Sequence, residues 1–475
     1  MTAGTLFIVI AVLVLFLGLL AIRFHVGLSL MLAGMVGVVL MRGTDAAVST
    51  AANQPFSTAA DYSLTIIPLF ILMGVFAVHA QLAQAGFDLA SRVLRRFPGG
   101  AALASLSGSG LFAAVTGSSV ATVATMARVS TDAIVKAGHG IRLAAGVVCA
   151  GGTLGVLIPP SIVLVLYGVV TEESIGELLL AGIGPGLLTI LVYAVTIVLM
   201  VLARRERKAR EAVQEEKEPA TVGGTSTASG SATAGGSTTT AGGTTTTAGE
   251  QAPETKLDLF GVLLLGVIFL ISIGSIYLGL ATANEAASFG AMTAFVILLI
   301  RTRPPRWLRA IKDSVSEAVG LTAMTFLLMF GAGVFTYFLA LSGASTAVVD
   351  AVISADLEPY VVLVLCLLLL LPLGMFLDGI SMILVAAPLL HPILVGYGFE
   401  GIWLGVLIVK VAEMALITPP VGMNAFVYSG SVPEAGLGRI FRGIAPFIIA
   451  DLVVVAILIL VPDIITFIPE LSSAQ

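Results

Sequence analysis

Charged residues are scarce in this chain: 11% of its 475 residues are Asp, Glu, Lys or Arg, whereas 58% are hydrophobic. The mean hydropathy is +1.08. A soluble domain of this length would need far more charge to cover its surface. Apolar runs of about 20 residues recur along most of the chain, and each can span a hydrocarbon core. The composition excludes a soluble protein and predicts an all-α, polytopic membrane protein.

Cysteine and histidine are also rare. The two cysteines, Cys149 and Cys366, lie in apolar stretches without CxxC spacing, which indicates buried small residues and not a redox centre. The four histidines show no metal-ligand spacing. The sequence has no phosphate-binding glycine loop and no nucleophile–base cluster, so neither ATP-driven transport nor catalysis by a membrane enzyme is indicated.

Two of the apolar stretches, 100–137 and 359–397, are interrupted at their centres by Gly and small polar residues, VTGSSV and FLDGIS. An interrupted segment that returns to its starting face is a re-entrant hairpin, which is tolerated only when it is buried in protein or lines a cavity. The first apolar run, Leu6 to Ile22, has no cleavage site after it and is expected to be a retained helix. Full-length spans are predicted at 5–22, 26–41, 62–80, 140–170, 178–203, 257–280, 283–301, 312–341, 401–430 and 440–465.

Basic residues predict the orientation. If the N-terminus is outside and neither hairpin crosses the bilayer, nearly every basic cluster falls on the cytoplasmic side, as the positive-inside rule requires. Arg42 is the one clear exception, and both termini are then outside. The cytoplasmic clusters are Arg23, Arg92, Arg95, Arg96, Arg128, Lys136, Arg142, Arg204, Arg205, Arg207, Lys208, Arg210, Arg301, Arg303, Arg306, Arg309, Lys312, Arg439 and Arg442.

The segment 204–256 differs sharply from the rest. A mixed-charge tract, RRERKAREAVQEEKE, is followed by a Thr/Gly/Ser-rich tract with almost no apolar bulk. Such a composition cannot bury a core and predicts a flexible cytoplasmic tether, with a docking tail as the alternative. The tether separates a first half, 1–203, from a second half, 257–475.

A long-range repeat relates the two halves. LIPP at 157–160 matches ITPP at 417–420, and about 25 residues further on AGIGPG matches RGIAP. TGSS at 116–119 is spaced from its Pro-Pro much as DGIS at 378–381 is from the second pair. Each half therefore contains an entering helix, a broken hairpin, a helix interrupted at Pro-Pro and a closing helix. Because the hairpins enter from opposite sides, the halves are predicted to be inverted repeats, which is typical of secondary transporters.

The candidate residues for binding Na⁺ and substrate lie at these breaks. Pro-Pro removes two backbone donors and frees carbonyls that suit Na⁺, although a packing kink is the simpler reading. A carboxylate at the second hairpin break, Asp378, is costly unless it is paired or ion-bound, or it caps the following half-helix. Lys410 and Glu413 share a helical face and form either a neutralising pair or a coupling pair. Hydroxyls and helix N-termini suit a carboxylate substrate. The remaining candidates are Thr116, Ser118, Ser119, Pro159, Pro160, Ser381, Pro419, Pro420 and Asn424.

At these residues the chain resembles the large membrane subunit of tripartite ATP-independent periplasmic (TRAP) transporters. The resemblance extends over nearly the whole chain apart from the tether, although Ala415 stands where family members often have Gly. The matching stretches are IPLFILMG (67–74), FAAVTGSSVATVATM (112–126), AGGTLGVLIPPSI (150–162), ESIGELLLAGIGPG (173–186), NEAASFGA (284–291), GMFLDGISMILVAAPLLHP (374–392) and AEMALITPPVGMNAFV (412–427).

The resemblance implies Na⁺-driven symport of an organic acid, such as a C4-dicarboxylate, by an elevator-like motion of the hairpins and broken helices. It implies a multi-pass protein of the cytoplasmic (inner) membrane of a prokaryote, with Na⁺ as coupling ion and no other cofactor. By motif it assigns Na⁺ and substrate to Gly117–Ser118–Ser119, to Asp378–Gly379 and to Thr418 with its Pro-Pro.

The same resemblance implies two partners, a small membrane subunit and a soluble binding protein outside the cytoplasmic membrane. No helices precede the first span, so we expect the small subunit to be a separate chain. A stand-alone Na⁺/carboxylate symporter is the alternative function. A channel is disfavoured because it needs a continuous polar pore.

The topology can be tested by labelling. In a variant without Cys149 and Cys366, a cysteine introduced by Ser229→Cys should not react with an impermeant maleimide in intact cells, because the tether is predicted to be cytoplasmic. It should react after permeabilisation. Glu172→Cys, predicted to lie outside, is the matched control. Efficient labelling of the tether in intact cells would contradict the predicted orientation.

Overall fold

The computed structural model describes residues 3–22, 24–217, 258–354, 357–375 and 377–473. Within these residues the protein is helical and contains no strand, which confirms the all-α prediction. Eight helices in this part of the chain are long and apolar enough to cross a membrane, and a ninth span is counted if a bent pair crosses as one. The charged tract continues a long helix to Lys217. Residues 218–256 of the tether lie outside the described residues, so their flexibility stays a prediction.

Most of the predicted spans correspond to helices. The span 62–80 begins with a short 3-10 turn, and the spans 140–170 and 401–430 are each divided at their Pro-Pro. The α-helices of the first half are α1 (Ala3–Ala21), α2 (Val26–Arg42), α3 (Thr44–Ala60), α4 (Ile66–His79), α5 (Leu82–Leu94), α6 (Gly100–Thr116), α7 (Ser119–Lys136), α8 (Ile141–Leu157), α9 (Ile162–Thr171), α10 (Ile175–Ala181) and α11 (Ile183–Lys217). Those of the second half are α12 (Leu259–Tyr277), α13 (Ala283–Arg301), α14 (Trp307–Ser342), α15 (Ala344–Ser354), α16 (Pro359–Gly374), α17 (Gly379–Gly396), α18 (Gly401–Ala415), α19 (Met423–Ser431), α20 (Leu437–Leu460) and α21 (Asp463–Ser473).

Four of the described helices, α3, α5, α15 and most of α21, lie outside the predicted spans and hairpins. α3 is polar, contains Pro55 and buries Ala47 and Thr50. α5 is amphipathic, with Leu82 and Phe87 on its buried side. A search for apolar runs long enough to span a bilayer cannot detect helices that are this polar or this short, and in α5 the signal lies in the period of its apolar residues.

The first predicted hairpin, now called hairpin 1, consists of α6 and α7. The residue before it, Gly99, lies against Val201 in the later part of α11. At the other end of the hairpin, a short loop leads from α7 to Arg142, whose Nε donates to the carbonyl of Arg442 at 3.0 Å. α11 runs antiparallel to α20, since Gly184 near its start lies against Ile464, which follows the end of α20. Hairpin 1 therefore begins and ends at one end of the bundle.

Hairpin 2, which consists of α16 and α17, begins and ends at the opposite end. The Tyr360 ring in the first turn of α16 contacts the Phe399 ring, just before α18, with centroids 5.6 Å apart. Gly401 in the first turn of α18 accepts a hydrogen bond from Tyr167 OH at 3.0 Å. Tyr167 belongs to α9, which continues α8 away from Arg142 with a bend of 42°. The hairpins thus enter the bundle from opposite ends. Which end is cytoplasmic remains a prediction from the arginine pattern.

Outside the hairpins, small residues bring helices close together. A Cβ at Gly27 would lie 2.8 Å from the Leu327 carbonyl oxygen, and one at Gly34 would lie 2.9 Å from Phe335 Cα. The later glycine of α2 lies against the later residue of α14, so the two helices run parallel. The predicted crossings require the same direction. Close backbone approach through small residues is a common way for membrane helices to associate.

Two glycines of α14 test this packing. A Cβ at Gly331 would overlap the Gly27 carbonyl oxygen, whereas a Cβ at Gly320 would meet nothing within 4 Å. Gly331→Ala should destabilise the protein by about 1–3 kcal/mol, as overpacking does. Gly320→Ala should be neutral or stabilise by up to about 1 kcal/mol, because Ala is the better helix former. Thermal unfolding in detergent is the measurement, and equal midpoints for the two variants would contradict the α2–α14 contact.

Candidate ion and substrate site

The tip of hairpin 1 lies on the first Pro-Pro. Gly117 ends α6 with φ +58°, a conformation that favours glycine, and a Cβ there would collide with the carbonyl oxygen of Pro160. Ser118 then caps α7 by accepting a hydrogen bond from the Ala121 N–H at 3.4 Å. Pro159 and Pro160 are both buried. The two predicted breaks of the first half are therefore in direct contact.

The close approach depends on glycines of α8. A Cβ at Gly155 would lie 2.9 Å from the carbonyl oxygen of Ser118, and a Cβ at Gly152 would lie 3.2 Å from that of Ser119. Thr116 uses its hydroxyl within the hairpin, where it donates to the Phe112 carbonyl at 3.2 Å. The hairpin tip is thus enclosed by its own broken helix.

Asn424 connects this tip to the second half. Its side chain is fully buried, and its Nδ2 donates to Ser119 Oγ at 2.9 Å and to the Cys149 carbonyl at 3.3 Å. Its backbone N–H donates to the Leu416 carbonyl at 3.1 Å, across the second Pro-Pro. The structure therefore brings Asn424 together with hairpin 1, α8 and the break that follows α18.

Hairpin 2 has a capped tip as well. Asp378 accepts hydrogen bonds from the Ser381 backbone N–H at 3.5 Å and from the Ser381 hydroxyl, so it caps α17. The next residue, Gly379, touches both halves: a Cβ there would lie 3.0 Å from Glu413 Oε1 and 3.7 Å from Val163 Cγ2 of α9. Asp378 therefore caps α17, as the capping alternative expects. A role of its carboxylate in Na⁺ binding stays a prediction.

Lys410 and Glu413 do not pair, so the proposed neutralising pair is wrong. Lys410 Nζ lies 2.5 Å from Asp451 Oδ1, and both side chains are fully buried. Among the described residues, neither carboxylate oxygen of Glu413 has a hydrogen-bond partner. The physical reason is that α20 brings a second carboxylate up to Lys410, and Asp451 is also held by the hydroxyl of Tyr193 at 2.7 Å.

Asp451 and Tyr193 were missed at the sequence level, although a signal was present. Asp451 interrupts the apolar run PFIIADLVVV, and an ionisable residue inside a span is a functional candidate by default. Tyr193 has no such signal, since a tyrosine in a span reads as ordinary packing.

The second Pro-Pro is less enclosed than the first. Pro419 and Pro420 are exposed, and the Thr418 hydroxyl donates to the Met414 carbonyl of its own helix at 2.7 Å. The site residues therefore form two unequal groups: a buried one around Gly117, and a more open one around Asp378 and Thr418. Each contains the N-terminus of a half-helix, which suits an anion, and interrupted backbone, which suits a hard cation. Within the described residues, no group of three His, Cys, Asp or Glu side chains could hold a transition metal.

Residues 13–464 match the family described as the tripartite ATP-independent periplasmic transporter, DctM component. The C4-dicarboxylate TRAP transporter large permease protein DctM of Pseudomonas aeruginosa is 32% identical over 446 residues, which are 94% of this chain and 93% of the relative. The protein of the same name from Rhodobacter capsulatus is 30% identical over 95% of this chain and 98% of its own length. Other relatives, 31%, 27% and 27% identical, are named as isethionate, sialic acid and ectoine TRAP transporter permeases.

Similarity to a solved structure supports the fold. The YdaH transporter of Alcanivorax borkumensis superposes with a TM-score of 0.58, covering 86% of each chain at 15% sequence identity. At this identity the likeness concerns the fold alone, and it agrees with the all-α, polytopic architecture described above.

Gly117 tests the contact between the first two breaks. Gly117→Ala should abolish uptake, because the new Cβ would collide with Pro160 and force the tip of hairpin 1 off its broken helix. Gly138→Ala is the matched control, since Gly138 also has a positive φ, +83°, but a Cβ there meets nothing within 4 Å. The control should lose only about 1–2 kcal/mol of stability to backbone strain and keep transport. Uptake normalised to membrane abundance is the measurement, and equal activity of the two variants would rule out the contact as a requirement.

Proposed function

The chain belongs to the DctM component family of tripartite ATP-independent periplasmic transporters, and from this membership we propose that it is the permease subunit for Na⁺-coupled uptake of an organic acid. It is a transporter subunit and not an enzyme. The proposed location is the cytoplasmic membrane of a prokaryote. The finer parts of this proposal concern the coupling ion, the substrate, the partners and the movement.

The observation that carries the proposal is the meeting of hairpin tips and broken helices inside the bundle. Gly117 lies on Pro160, Ser119 is hydrogen-bonded to Asn424, and Gly379 lies between α9 and α18. A helix end within an apolar bundle leaves backbone groups that need a partner, and an ion or a charged substrate supplies one. We therefore propose that Na⁺ and the substrate bind at these tips.

The substrate is proposed to be a carboxylate, with a C4-dicarboxylate as the first candidate. The support is that relatives at 30% identity and above include proteins named for C4-dicarboxylates. The half-helix N-termini of α7 and α17 supply positive dipole ends for an anion. A thermal-shift screen of the cognate binding protein against organic acids would identify the compound.

Two partners complete the proposal: a small membrane subunit and a binding protein outside the membrane. The tripartite family name supports three components. This chain spans 59% and 66% of the isethionate and sialic acid relatives, which leaves room in those proteins for a further segment. We propose that the hairpins and broken helices move together, as in an elevator, against α2, α4, α13 and α14.

The stand-alone symporter remains the competing function, and reconstitution separates the two. Proteoliposomes that contain both membrane subunits should take up substrate only with an inward Na⁺ gradient and added binding protein. Uptake at the full rate without binding protein would favour the stand-alone symporter. Uptake at the same rate with and without the Na⁺ gradient would contradict Na⁺ as the coupling ion.

Asp378 tests the ion site. Asp378→Asn keeps the shape and the capping ability of the side chain but removes its charge, so it should raise the Na⁺ concentration for half-maximal uptake about 10-fold, the effect of roughly 1.4 kcal/mol. Asp61→Asn is the control: Asp61 caps a short 3-10 turn through Ser63 at 2.8 Å, at an exposed position away from the tips. Superimposable Na⁺ curves for wild type and Asp378→Asn would leave Asp378 as a cap only.

A further inference from the structure

Four buried polar side chains link the two broken helices through the two closing helices. Lys410 of α18 binds Asp451 of α20 at 2.5 Å. Tyr193 of α11 donates its hydroxyl to the same Asp451 oxygen at 2.7 Å. The hydroxyl of Thr153 of α8 lies 3.3 Å from the Tyr193 oxygen and shares its hydrogen between that oxygen and the Ala150 carbonyl at 2.7 Å. Together Lys410, Asp451, Tyr193 and Thr153 form the buried bridge. All four side chains are fully buried.

Each end of the buried bridge lies next to a hairpin contact. Thr153 lies on α8 between the two glycines that contact the tip of hairpin 1. Lys410 lies one helical turn before Glu413, whose Oε1 touches Gly379 at the tip of hairpin 2. Thr153 and Glu413 occupy matching places, since each precedes the first proline of its pair by six residues. The bridge therefore joins the two helix segments on which the hairpin tips rest.

Stability alone does not account for this arrangement. Desolvating a buried ion pair is costly, and apolar side chains of similar volume are often neutral or stabilising in its place. The pair here is also incompletely satisfied, because Asp451 Oδ2 has no hydrogen-bond partner in the part of the chain that the structure describes. What directional polar contacts supply, and apolar packing does not, is a fixed relative position of the helices that carry them.

We propose that Tyr193 is a positioning residue whose hydroxyl, within the buried bridge, holds the hairpin-contacting segments of α8 and α18 in one fixed relation. A change at one hairpin tip is then transmitted to the other. The consequence for transport, cooperative Na⁺ binding at the two tips, rests on the proposed function. The transmission itself does not depend on Na⁺.

Hydrogen–deuterium exchange of the purified permease complex measures the transmission directly. Asp378→Ala removes the cap of α17 and so loosens the tip of hairpin 2, and exchange is read at a peptide covering 116–122, the tip of hairpin 1. We expect a faster exchange there in the wild-type background. In the Tyr193→Phe background this transmitted increase should fall at least about 5-fold, the lower end of common coupling strengths. The local increase at hairpin 2 should be the same in both backgrounds.

Tyr193→Phe should still fold, because it keeps the ring that contacts Phe447 edge-on at 5.3 Å. Tyr167→Phe is the matched control, since Tyr167 is equally buried and its hydroxyl bonds α9 to α18 through Gly401 at 3.0 Å, outside the bridge. Transmission should survive in this control. The proposal is overturned if Tyr193→Phe leaves the transmission intact, in which case the Ser119–Asn424 contact carries it. It is also overturned if hairpin 1 does not respond in the wild-type background, or if both tyrosine variants abolish the response.

Uptake gives the second readout. Tyr193→Phe should lower the Hill coefficient for Na⁺ towards 1 and keep the maximal rate, whereas general damage would lower the maximal rate. An unchanged Hill coefficient above 1 would contradict the role in cooperativity. A wild-type protein that shows no Na⁺ dependence would contradict the proposed function, and the exchange experiment would still decide the role of Tyr193.

Discussion

Every backbone N–H and C=O at the centre of a bilayer must find a partner inside the protein, and this constraint shapes the whole structure. The chain breaks four of its helical segments, at two hairpin tips and two Pro-Pro pairs. Each exposed helix start needs a cap, and Ser118, Ser161 and Asp378 supply one for α7, α9 and α17. The tip of hairpin 1 lies on the first Pro-Pro, and the tip of hairpin 2 lies against α9 and α18, so the breaks come together in two groups.

The two halves meet this constraint differently. In the first half, Gly117 brings the hairpin tip onto a buried Pro-Pro, and a neutral hydroxyl residue, Thr153, stands on the broken helix six residues before the first proline. In the second half, carboxylates occupy the matching places, Asp378 at the tip and Glu413 on the broken helix, and the Pro-Pro is exposed. The halves are thus alike in backbone and unlike in charge. An ion and an anionic substrate need such a difference, because they bind opposite charges.

Much of this architecture was predictable from the sequence because it depends on signals that are local and strong. Apolar length gave the spans, and glycine and small polar residues at matched spacing gave the hairpins and the Pro-Pro breaks. The polar helix α3 and the amphipathic helix α5 escaped detection, because neither has an apolar run. The partner of Lys410 could not be predicted: Glu413 is near in sequence, but Asp451 is nearer in space, and only the packing of α18 against α20 decides between them.

The central claim is that hairpin tips and broken helices form the ion-binding site. Cryo-electron microscopy of the permease complex in Na⁺ and in choline, with the binding protein present in both, tests it most directly. We expect added density beside the tips at 117–119 and 378–379 in Na⁺, and its absence in choline. Identical density at the tips under both conditions, or Na⁺-dependent density elsewhere in the bundle, would contradict it.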